Sequence, residues 1–203
     1  MVEGLQENIA SPDDSRPLLV VDLDGTLIAG NSLHIYIRCA MRQMARRGRL
    51  DLLARTAALL GLRKVKAISH ARMKFGILGL VRPDERLLTD FRRRVEAIRR
   101  KDVAMLIDDY KKKGYAVLLA TAAADTYVPA IWEGNYVATD MADPARIECR
   151  GEEKLRRVEA YARARGLRLA AAITDEPAAD DAPLAQAAEE LWDAETTPPR
   201  QGY

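Results

Sequence analysis

The run Asp22-Leu23-Asp24-Gly25-Thr26-Leu27 sets two carboxylates two residues apart, just where an apolar stretch beginning at Leu18 ends. Side chains two apart on a strand point to one side, and Gly25 lets the backbone turn sharply away and leave both acids at the tip. Two acids held so close repel one another unless a cation lies between them. A hard divalent ion with oxygen ligands, Mg²⁺, relieves that repulsion and can clamp a phosphate at the same time. Taken alone, an Asp-Gly turn closing a strand explains the same residues, so the argument depends on what the rest of the chain brings to this point.

The elements that must position the acids are legible from pattern. Residues 18–23 read as a buried parallel strand, and in open α/β sheets ligands bind beyond the carboxyl ends of the strands. From Ser32 to about Arg100 the period becomes helical, with Leu33, Tyr36, Ile37, Ala40, Met41 and Met44 on one face. Gly48, Gly61 and Gly79 to Pro83 divide the segment, so three or four helices packed around a core of their own are predicted. A helix ending near Gly114, a strand at 116–121, a short strand at 136–139, a helix over 151–166 and a strand at 167–174 follow. The stretch from Trp192 onward reads as a loose tail. The expected fold class is α/β, a Rossmann-like parallel-sheet core built from residues 1–30 and 102–203 with an inserted helical-bundle cap at 31–101.

Composition is that of a soluble globular chain of 203 residues, 48% hydrophobic and 31% charged. The overall charge of +2 hides a separation: residues 31–101 carry 19 lysines and arginines against 5 acids, and the remainder 13 against 25. A basic insert over an anion site would steer anionic substrates toward it. No aromatic interleaving accompanies the charge, so no nucleic acid is expected, and no apolar run reaches membrane-spanning length. The opening residues 1–17 lack the basic and apolar regions of a signal peptide. Cys39 and Cys149 stand in no metal-binding spacing and read as reduced thiols of a cytoplasmic protein. His34 and His70 have no partner at ligand spacing, which favours packing or surface roles. Asn31 and Ser32 read as helix caps that also fall close to the paired acids.

With DLDGTL in place, the sequence resembles the haloacid dehalogenase-like hydrolase superfamily, whose first motif is DxDGT[LV]. Further motifs follow in order: Thr121 in LLATAAA, Lys154 in RGEEKL, and Asp175, Asp180 and Asp181 in ITDEPAADDAPL. The Gly-x-x-Lys form around Lys154 and the place of the insert are similar to the phosphoserine phosphatase-like branch. The likeness covers about residues 17–191. In the family a second acid follows the first of the last motif by about four residues, where this chain has Ala179; Asp180 is the candidate held for that place. Between Thr121 and Lys154 the chain is too short for the usual helix.

The resemblance implies a phosphatase acting on a small anionic phosphate ester. Asp22 would attack phosphorus and form an aspartyl-phosphate, and Asp24 would protonate the leaving oxygen and then activate water. Thr121 and Lys154 would hold the phosphoryl oxygens, and Asp22, the Asp24 carbonyl and Asp175 would hold Mg²⁺. Asp24 also argues against carbon–halogen cleavage, which needs no acid at that place. Two alternatives stand beside this: a degenerate member that binds phosphorylated ligands or a partner without turnover, and a module whose basic insert docks on nucleic acid or membrane.

Overall fold

The computed structural model describes residues 15–196. Five parallel strands form one sheet: β1 (Arg16–Val21), β2 (Ala116–Ala124), β3 (Asn135–Thr139), β4 (Leu167–Thr174) and β5 (Glu190–Asp193), in spatial order β3-β2-β1-β4-β5. The central strand β1 pairs with β2 on one side and β4 on the other. The chain therefore leaves β1 toward one neighbour and later returns to the other, which opens a crevice at the carboxyl end of β1. Asp22 follows the last residue of that strand, with its N–H bonded to Ile173 O on β4 at 3.0 Å.

Alternation along β1 builds two cores. Leu18 and Val20 face α6 (Gly151–Arg163) with Leu118, Ala120, Ala172 and Val158. Leu19 and Val21 face the other side, where α5 (Lys101–Lys112) supplies Val103 and Ile107. Between β1 and α5 lie four helices, α1 (Ser32–Arg46), α2 (Leu50–Lys64), α3 (His70–Leu80) and α4 (Glu85–Glu96). Asn31, Ser69 and Asp84 cap α1, α3 and α4 through their side chains. The expectation that these helices pack around a core of their own is corrected. Tyr36, Ile37, Met73, Ile77, Leu87 and Phe91 belong to the same apolar cluster as Leu19, Val21, Leu119 and Tyr127 of the sheet side. Tyr36 stacks on Tyr127 at 4.6 Å, and Phe91 meets both rings edge-on.

Two further differences concern the second half. After β2 the chain makes one 3-10 turn, Val128–Ala130, in place of a helix, as the short spacing requires. The predicted loose tail begins too early: Glu190–Asp193 is an edge strand paired with β4, reached through a short helix, α7 (Ala182–Ala187). Its four residues lack a periodic apolar pattern, and Leu191 stays exposed, so the segment carries little signal. The remainder of the predicted tail from 197, and residues 1–14 of the opening segment, lie outside the described residues.

Candidate active site

A cavity of about 390 Å³ opens at the carboxyl end of β1, and Asp22, Asp24, Thr121, Lys154, Asp175, Asp180 and Asp181 all line it. Lys154, in the first turn of α6, is buried and donates to Asp22 Oδ1 at 2.8 Å and to Asp181 Oδ1 at 2.5 Å. Asp181 is fixed in turn by the Thr174 hydroxyl at 2.7 Å. Three buried charges thus share one line of hydrogen bonds, with one oxygen of Asp22 held and the other facing the cavity side.

The two acids of the first motif have different partners. Asp24 accepts from Ser32 N at 2.6 Å and Ser32 Oγ at 3.0 Å, so the first residue of α1 orients it. Asp175 accepts from the Thr26 hydroxyl at 2.8 Å, while its own N–H donates to the same oxygen at 2.9 Å. Gly25 has φ +87°, and a Cβ there would fall 1.8 Å from Asp175 Oδ2. Asp175 therefore lies across the bare backbone of Gly25, which only glycine permits.

Asp180 and its neighbour Asp181 are placed differently. Asp180 is half exposed and ion-paired with Arg150 at the mouth, whereas Asp181 is the acid that reaches Lys154. The loop from Asp175 is longer than the family spacing suggests, and its turns end at the start of α7, which swings Asp181 inward. Asp180 and Asp181 look alike in sequence, and only the turn geometry separates them.

The sequence profile described as haloacid dehalogenase-like hydrolase matches residues 19–186. The chain belongs to the haloacid dehalogenase-like hydrolase family. No curated protein sequence matches it. Among solved structures, a protein of unknown function from Bordetella pertussis Tohama I is similar at TM-score 0.68 and 22% identity, over 87% of this chain and 89% of that one. A substrate-bound phosphoserine phosphatase is similar at TM-score 0.53 and 13% identity, over 89% and 94%. A phosphoserine phosphatase in apo form gives 0.54 and 15%, over 88% and 94%. At these identities the likenesses show a shared fold.

As a haloacid dehalogenase-like hydrolase, the chain has a donor set that fits Mg²⁺. Asp22, Asp24 and Asp175 bring hard carboxylate oxygens to the end of β1, and no cysteine lines the cavity. Among the described residues no three His, Cys, Asp or Glu side chains converge on one point. Asp22 and Asp175 could contribute side chains to such an ion, and Asp24, whose carboxylate is turned to Ser32, its carbonyl. Burial pushes the Asp22 carboxyl up to about 7, although Lys154 pulls the other way. Positive charge added beside it would favour the ionised carboxylate. Burial also raises Asp24 against the pull of the two Ser32 hydrogen bonds, which suits a group that must hold a proton.

Sequence reasoning missed a second polar cluster on the same cavity. Lys74 of α3 is fully buried and bonded to Glu148 at 2.7 Å, and His70 Nδ1 stands 3.7 Å from the same carboxylate oxygen. Lys74 and His70 hold Glu148 at about 2 in spite of its burial, and burial lowers Lys74 in spite of Glu148. The spacing of His70 and Lys74, four apart on one helix, was the available signal. Glu148 sits in an irregular loop and offered none.

Proposed function

We propose that the protein is a phosphatase that hydrolyses a small phosphate monoester through an aspartyl-phosphate on Asp22. What carries the reading is the buried Asp22–Lys154–Asp181 line at the floor of a cavity that Asp24 and Thr121 also face. A carboxylate with one oxygen held by an ammonium and the other exposed is a positioned nucleophile. The phosphoserine phosphatases of the same fold support the ester class.

In the first step an Asp22 oxygen bonds to phosphorus as the ester oxygen leaves with the proton of Asp24. In the second, water attacks phosphorus, Asp24 takes its proton, and the Asp22–phosphorus bond breaks to release phosphate. The Lys154 ammonium and the Thr121 hydroxyl donate to the phosphoryl oxygens where charge builds. Asp22, Asp175 and the Asp24 carbonyl would hold Mg²⁺, which would supply the charge neutralisation that lets a dianionic ester lie beside a carboxylate. The helices of residues 31–101 act as a cap, and their excess of basic residues steers anionic esters inward. Buried, unpaired Cys39 and Cys149 suit a reducing, cytoplasmic setting.

Phosphate release from a panel of monoesters tests this, run with Mg²⁺, with EDTA and with Asp22→Asn. Turnover that needs the metal and disappears in the variant is expected. A folded protein silent on a broad panel would shift the reading to binding without turnover.

A further inference from the structure

We propose that Lys74, carried by the helical insert, is a positioning residue for the Thr121 hydroxyl. The role assigned to Thr121 rests on the phosphatase reading above; the geometry that links the two residues does not. Lys74 Nζ donates to Ala122 O at 2.5 Å, to Thr139 Oγ1 at 3.2 Å and to Glu148 Oε1 at 2.7 Å. The Thr139 hydroxyl also donates to Ala122 O, at 2.7 Å, and accepts from Cys149 N at 3.1 Å. The Ala122 carbonyl therefore has both lone pairs occupied, one by an ammonium.

That carbonyl belongs to the same peptide unit as the Ala123 N–H, which donates to Thr121 Oγ1 at 3.0 Å. A rigid planar group is clamped at one end by Lys74 and Thr139, and its other end fixes the threonine. The threonine oxygen is an acceptor in this bond, and its O–H has no protein acceptor among the described residues. Its proton is thus left for a phosphoryl oxygen. An ammonium on the carbonyl polarises the amide at the far end, which strengthens the donor behind Thr121. A lysine exposed by only 2% is an expensive way to fill space that methionine would fill. Its charge has a use if it orders the phosphate-binding end of β2. Because Lys74 belongs to α3, the hydroxyl is set when the insert sits as it does here.

A purely structural ion pair between α3 and the sheet predicts something different, and a mutant cycle separates the two. Lys74→Met, Thr121→Val and their combination are compared by kcat and KM, with Glu148→Gln as control and thermal melting to confirm folding. Should Lys74→Met alone not fold, Lys74→Met/Glu148→Gln, which removes both charges together, replaces it. Lys74→Met is expected to lower kcat on the order of 10- to 100-fold with little change in KM. Thr121→Val is expected to lower it on the order of 100-fold or more, and the combination no further than Thr121→Val alone. Losses that multiply, or an unchanged kcat in Lys74→Met, would overturn the inference.

Hydrogen exchange at the Ala123 amide gives a readout that needs no turnover. Lys74→Met should lose about 10-fold or more of its protection and Glu148→Gln much less. Equal protection in wild type and Lys74→Met overturns the inference even if the phosphatase reading stands. Lost protection in a chain that hydrolyses no ester upholds the linkage and sinks the reading instead.

Discussion

Replacing Lys154 with methionine removes the one cation between two buried acids. The side chains of Lys154, Asp22 and Asp181 are exposed by 4%, 10% and 3%. Breaking a buried ion pair by deleting one partner destabilises by about 3–5 kcal/mol, since the remaining charge is left without water or counter-ion. For a chain of this size each kcal/mol shifts Tm by about 2–4 °C, so a fall of roughly 6–20 °C is expected at neutral pH. The pH dependence has a definite sign. Burial already holds the Asp22 carboxyl above its unfolded value, and without Lys154 it rises further, so that protonation favours the folded state. That contribution is present at low pH and lost as pH rises through the folded value. The deficit of Lys154→Met against wild type should therefore shrink between pH 8 and pH 5, measured by thermal or urea melts without metal. Adding Asp181→Asn, which removes one stranded charge and keeps an acceptor for Thr174, should recover about 1–2 kcal/mol. A loss below about 1 kcal/mol, or a deficit that grows toward acid, would refute the account of a buried line held by one ammonium.

Gly25→Ala tests the cradle under Asp175. The added methyl would stand 1.8 Å from Oδ2, so the carboxylate must swing off Thr26 and away from Asp22. A loss of about 10- to 100-fold in Mg²⁺ affinity is expected, read from metal-activation curves, with a strain of about 1–2 kcal/mol from the positive φ. An unchanged activation curve in a folded variant would remove Asp175 from the donor set. Asp180→Ala and Asp181→Ala should differ sharply: the first breaks a half-exposed pair and changes stability by about 1 kcal/mol or less. The second leaves Lys154 with Asp22 alone and takes the acceptor from the Thr174 hydroxyl, and should cost about 1–3 kcal/mol as well as most of the phosphate release. Equal effects would mean that the choice between neighbouring acids is wrong.

The parts of this site that were legible in sequence are those fixed by strand ends. Asp22 and Asp175 directly follow the ends of β1 and β4, where an apolar run stops, and Thr121 is the one polar residue in the apolar run of β2, three residues before its end. Lys154 follows Gly151, whose φ of +56° opens the first turn of α6. What was not legible lies where the backbone leaves regular structure. Asp180 and Asp181 are adjacent acids in a turn, and which one points inward depends on the turn's rotation, not on residue type. Ser32 was visible as a cap but not as the group that turns Asp24. Lys74 and Glu148 come together from a helix and a loop 74 positions apart, and no local period encodes such a pairing.

The shared core changes what the helical insert can do. A helical insert with its own core can hinge as one body, exposing only the polar surfaces between it and the sheet. Here Tyr36 and Phe91 are buried against Tyr127, and Leu33 and Ile37 join the same cluster. Separating α1 and α4 from the sheet side would expose these side chains at about 1.5–3 kcal/mol each, more than a lid in routine turnover can sustain. The outer helix α2 differs. Thr56 is its only buried residue and Arg63 lines the cavity, whereas α3 is held to the sheet side by Met73, Ile77 and Lys74. On the proposed phosphatase reading, ester entry and product release fall to the α2 side, where the group that must move, Arg63, is polar. α1 and α4 belong to the scaffold that holds Ser32 against Asp24.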